Sequence, residues 1–111
     1  MAIYIETAKP KVLLDKIIKL IDENKITTWL CDSDGNFKYI AEQYEEKALF
    51  KPILINNCLI FGIKNLEDEE ISRVIDSIYH GRFIEMLINH LYSYFKFVNA
   101  SSEEDLKYDE I

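Results

Sequence analysis

The stretch from Glu67 to Leu91 constrains this chain more than any other. It is long, helical in pattern and free of proline. Its aliphatic residues fall into two sets, Ile71, Val74, Ile75 and Ile78, then Ile84, Leu87, Ile88 and Leu91. At about 100° per residue the two sets point roughly 150° apart. One straight helix on one surface cannot bury both. The change of face falls at His80-Gly81-Arg82. The pattern therefore predicts a helix end or kink at Gly81, or two apolar partners for the two halves. Glu67, Asp68, Glu69 and Glu70 load the start of this helix with negative charge, as the helix macrodipole favours.

The rest of the chain reads as short strands around one earlier helix. Ile3–Glu6 is β-type. Pro10 opens a helix that runs to Asn24, since proline fits a first turn and asparagine tolerates the left-handed residue that ends one. Val12, Leu13, Leu14, Ile17, Leu20 and Ile21 form its apolar stripe. Ile26–Cys31 and Phe37–Ile40 are strands about the turn Asp32-Ser33-Asp34-Gly35-Asn36. Residues 41–47 suit one helical turn. Ala48–Ile55 and Cys58–Ile63 form a second hairpin about Asn56-Asn57. Phe95, Phe97 and Val98 suggest a last strand.

The order β-α-β-β-β-β-α-β implies an α+β two-layer sandwich, with helices on one face of a largely antiparallel sheet. A ferredoxin-like variant with an inserted hairpin fits it. At 111 residues this is one domain. Residues 1–99 form it, and 100–111 are an acidic tail expected to be mobile. A chain of this size buries roughly two-thirds of its unfolded surface, enough for a core without metals or many disulfides.

Charge narrows the function classes. Thirteen Lys and Arg face 20 Asp and Glu, a net of −7. Residues 103–111 hold five acids against Lys107, so they carry −4 of it and leave the body near −3. Nucleic acid would need clustered Lys and Arg, so direct nucleic-acid binding is not expected. No apolar run approaches the ~18 residues of a membrane span, so a membrane partner is not expected either. The N-terminus lacks a signal-peptide pattern and the two cysteines make no disulfide framework, which together imply a cytoplasmic protein.

Several constellations could carry chemistry. Tyr79, His80, Arg82 and Glu85 offer an imidazole, a guanidinium fork and a carboxylate around a backbone break. The plain reading is structural, with His80 paired to Asp76 and Gly81 stopping a helix. Asp32 and Asp34 resemble the start of a calcium loop, but position 6 is Phe37 and position 12 is Gln43. A hairpin turn is the better reading. Cys31, Cys58, His80 and His90 lack zinc-ligand spacing. Trp29 heads an aromatic group with Phe37, Tyr39, Tyr44 and Phe50 that suits a half-buried sheet face better than a stacking platform. No cofactor or metal is expected, since no phosphate-binding loop, dinucleotide fingerprint or nucleophile elbow occurs.

Trp29 with Asp32–Phe37, then Lys51-Pro52, then Ile78–Leu87, resembles a family of small uncharacterised bacterial and phage-borne proteins. The resemblance spans most of the chain. It implies a bacterial or phage source and transfers no activity and no site residue.

The leading expectation is an acidic cytoplasmic protein-protein interaction module, immunity- or inhibitor-like, that engages a basic protein. One alternative is a small-molecule or anion-binding domain, enzymatic or not, at the Tyr79-His80-Gly81-Arg82 break. Another is a homo-oligomer, such as a homodimer, built on spare apolar surface of the second helix.

Overall fold

The computed structural model describes residues 2–65 and 73–101. The acidic run Glu67–Glu70, Ile71 and residues 102–111 of the tail lie outside the described residues. The elements are β1 (Ala2–Glu6), α1 (Pro10–Asp22), β2 (Trp29–Cys31), β3 (Phe37–Tyr39), β4 (Ala48–Ile55), β5 (Cys58–Asn65), α2 (Arg73–Leu91) and β6 (Phe97–Ala100). Short 3-10 turns stand at Glu42–Tyr44 and Tyr92–Tyr94.

All six strands join one antiparallel sheet in the order β2-β3-β4-β5-β1-β6. The run β4-β5-β1-β6 is the ferredoxin-like arrangement, and the β2–β3 hairpin extends it beyond β4. The turns set the register. Gly35 sits at φ +83, where an L side chain would be strained, and its amide donates to the Asp32 carbonyl at 3.0 Å. Asn57 takes φ 61 in the two-residue loop that faces Ile55 with Cys58. Asn24 takes φ 60 just past α1, as asparagine readily does.

Strand alternation divides the sheet into two faces. Ile3, Ile5, Trp29, Phe37, Phe50, Leu59, Phe61 and Ile63 point to the side covered by both helices. From α1, Leu13, Leu14, Ile17 and Leu20 join the same core. Val12, counted in that stripe from sequence, is instead 51% exposed. It lies on the flank of the helix and reaches past the edge of the sheet contact.

The second helix overturns the predicted break. It runs without interruption through Gly81. Its core ladder is Ile75, Tyr79, Phe83, Leu87 and Leu91, spaced four residues apart, with Met86 beside it. This ladder lies between the two aliphatic directions, because Tyr79 and Phe83 carry its centre. Val74 (61%) and Ile88 (53%) are left exposed on the far side. No second partner covers them among the described residues.

Gly81 is then a mid-helix glycine with no need to be one. A Cβ there would meet no atom within 4 Å, and its φ is not positive. Gly81→Ala should raise stability by about 0.5–1 kcal/mol, since alanine loses less backbone freedom in a helix. A thermal melt should show a midpoint a few degrees higher. A lower midpoint would restore the break.

Candidate binding site

The residues expected to form a site at the helix break do not converge. Tyr79 is fully buried and its hydroxyl donates to the Tyr44 carbonyl. Burial pushes its phenol pKa up, against the opposing pull of the Lys47 and Ala48 backbone. His80 is 6% exposed, edge-on to the Phe50 ring at 5.3 Å. Its Nδ1 lies 2.7 Å from the Asp76 carbonyl oxygen. A carbonyl only accepts, so the proton sits on Nδ1. The expected contact to Asp76 is thus made with its backbone. Arg82 faces solvent on another side of the helix and pairs with Glu85 at 3.3 Å. An exposed pair of this kind adds little stability. Imidazole and guanidinium therefore share no concave surface.

Trp29 is 1% exposed, with Tyr39 and Phe83 each at 4.9 Å. It packs the core and presents no face for stacking a ligand. Asp32 staples its own turn. Its Oδ1 accepts from the Asp34 and Asn36 amides, both at 2.9 Å, and Oδ2 lies 3.5 Å from Lys38 Nζ. Asp34 belongs to the same turn, and the Asp32 oxygens that a cation would need are already held. The described residues contain no group of three or more potential metal ligands. Cys31 and Cys58 are free thiols, both pushed up in pKa chiefly by burial.

The Asn36 amide, first among several causes, holds the Asp32 carboxyl below its ordinary 3.8. A folded-state pKa below the unfolded value adds stability that is present above the unfolded value. That stability is lost as pH falls through the folded one. Asp32→Asn keeps the acceptor and loses only a charge screened by solvent, so it should cost about 0.5 kcal/mol or less near neutral pH. The gap to wild type should close as denaturant melts are taken below pH 3.8. A gap that persists unchanged in acid would refute the charged staple.

A concave site does exist, beside the β1–β6 edge of the sheet, at the strand ends that also carry the β4–β5 hairpin tip. It is a cavity of about 320 Å³ between the β1–α1 connection and the Tyr92–Tyr94 turn. Val12, Leu13, Tyr94 and Phe95 wall it, and Lys9 and Lys96 stand in its lining with Thr7, Ala8 and Ser93. Thr7 ties the region together. Its amide donates to the Asn57 carbonyl at 3.2 Å, and its hydroxyl donates to the Tyr94 carbonyl at 2.9 Å. The Lys9 amide donates back to that hydroxyl at 3.4 Å. The β4–β5 hairpin tip, the start of α1 and the approach to β6 are thereby held at one pole.

No protein-family model, curated protein or solved structure matches the chain. The candidate site is read from its own geometry alone.

That geometry gathers exposed apolar surface. Of nine large hydrophobics exposed among the described residues, Val12, Tyr92 and Tyr94 lie at this pole, and Leu54, Ile55 and Phe97 lie at the same strand ends, Ile55 and Phe97 on the helix-free face. Charge is sorted as well. Residues 66–72 hold four acids and no base, and 102–111 hold five acids and one base. These stretches carry −4 and −4 of the net −7, which leaves +1 for the remaining residues. Lys16 Nζ adds a cation 6.0 Å from the Tyr94 ring. Sequence reading missed this pole because its parts lie up to about 90 positions apart in the chain. The available signal was Tyr92 and Tyr94, two aromatics between the second helix and the last strand that neither pattern claims.

Proposed function

We propose that this chain is a protein-interaction module whose contact surface is the pole formed by the β1–α1 connection, the β4–β5 hairpin tip and residues 92–97. The supporting observation is the concave centre walled by Val12 (51% exposed) and Tyr94 (39%), with Ile55 and Phe97 exposed on the helix-free face of the same strand ends. Exposed apolar patches rimmed by polar groups mark interaction sites, and aromatic residues are enriched at such sites. Lys9 and Lys96 suit a partner that presents acidic groups beside an apolar anchor. A basic partner would instead have to use residues 66–72 and 102–111, where the acidity resides.

A cytoplasmic setting and a bacterial or phage source belong to the same proposal. The free cysteines support the first. The family resemblance supports the second. No helix of the described residues is long and apolar enough to cross a membrane.

The test compares variants rather than presence of binding. Immobilised full chain at low salt should retain a protein that Val12→Asp and Phe97→Asp each release. Ile88→Asp, on the outer side of α2, should retain it. Retention that ignores both pole variants, or no retention at all, overturns the proposal.

A second reading is self-association through the outer side of α2, favoured by the exposure of Val74 and Ile88. Light scattering at high concentration should then report a dimer that Ile88→Asp dissociates. A strict monomer would reject it.

A further inference from the structure

We infer that the cavity between α1 and the Tyr92–Tyr94 turn binds an organic carboxylate carried on a short apolar body. The inference rests on the reading of this pole as the binding surface and deepens it. Three observations converge. The volume of about 320 Å³ lies at the small end of ligand-pocket sizes, so the ligand is small or is the end of a larger one. The walls contributed by Val12, Leu13, Tyr94 and Phe95 call for hydrocarbon or an aromatic ring. Lys9 and Lys96 are the charged residues of the lining, none of the described lining residues is acidic, and the first turn of α1 holds no acid.

The charge sign disfavours a cationic ligand here, because no acid stands among the described lining residues to answer the two lysines. Lysine acts as a point charge on a flexible stem, which serves a single anionic head. A free inorganic anion would leave the apolar walls wet. A monocarboxylate with a hydrocarbon tail meets both halves of the site. Its head reaches the ammonium groups and its body displaces water from the wall. Two sources share that chemistry, a free organic acid and the C-terminal carboxylate of a protein chain that ends in an apolar residue.

The experiment titrates the full chain, labelled for amide NMR, with four probes. These are 4-phenylbutyrate, its neutral amide, a short acetylated peptide ending in free leucine, and the same peptide amidated. At least one carboxylate should shift the amides of Lys9, Val12, Tyr94 and Lys96 saturably, and its neutral counterpart should not. The free acid and the peptide distinguish the two sources by which binds more tightly. The double variant Lys9→Gln/Lys96→Gln should weaken that binding by about tenfold or more while its spectrum stays folded. Equal shifts from carboxylate and amide, or no saturable shift from any probe, overturn the carboxylate site. If that happens while Val12→Asp and Phe97→Asp still release the protein partner, the pole stands and only its ligand chemistry falls.

Discussion

Phe83→Ala should cost about 4 kcal/mol of folding free energy, a large share of what a domain of this size has. Phe83 has no exposed surface. Its ring lies 4.5 Å from Phe61, 4.9 Å from Trp29 and 5.1 Å from Phe50, so it touches strands from the centre to the edge of the sheet. Truncation removes the buried ring, leaves a void among rigid neighbours, and loses contacts with several aromatic rings at once. Aromatic pairs add about 0.5–1.5 kcal/mol each beyond burial. The melting midpoint should fall by roughly 15 °C, on about 4 °C per kcal/mol. Ile88→Ala, about 7.5 Å further along the same helix at about 1.5 Å per residue but on its exposed side, should change it by about half a kcal/mol or less. If the two variants behave alike, the assignment of faces on α2 is wrong.

Trp29→Ala should be nearly as costly, about 3–5 kcal/mol, with a different signature. Trp29 is the single tryptophan and sits on the edge strand β2, which is only three residues long. Its contacts with Tyr39, Phe50, Tyr79 and Phe83 tie that short strand to the core. Backbone pairing to β3 alone is too short to hold the hairpin down. Amide exchange should therefore rise first in residues 29–39, ahead of global unfolding. The double variant with Phe83→Ala should cost less than the two singles added, because each removes part of the same contact. Strict additivity would deny that contact.

Much of the fold was legible because local chemistry and global packing agree in the hairpins and in α1. Gly35 and Asn57 mark turns that only a few residue types enter with ease, and Asn24 marks a helix end for the same reason. Once those positions are fixed, strand alternation orders the sheet. The second helix was misjudged for a physical reason. Counting only aliphatic residues placed its weight at Val74 and Ile88, which face solvent, and left out Tyr79 and Phe83 at the centre of the buried ladder. Apolar residues surround this helix, so periodicity alone does not select a face. Selection comes from the aromatic cluster of the sheet, where large rings fit large rings.

The candidate site was illegible for a different reason. His80 and Arg82 are two residues apart in the chain but face directions about 160° apart around the helix, so proximity in sequence separated them in space. Thr7, Val12, Asn57 and Tyr94 are distant in the chain, and the Thr7 hydrogen bonds bring their segments together. No spacing rule anticipates that meeting, because it depends on β1 lying between β5 and β6.

The central claim is that contact occurs at this pole and not at the middle of α2. Amide hydrogen exchange of the full chain, with and without its retained protein partner, tests it most directly. New protection should appear in residues 7–13, 54–58 and 92–98 and leave residues 80–85 unchanged. Protection centred on Arg82 and Glu85, with the pole unaffected, would contradict the account.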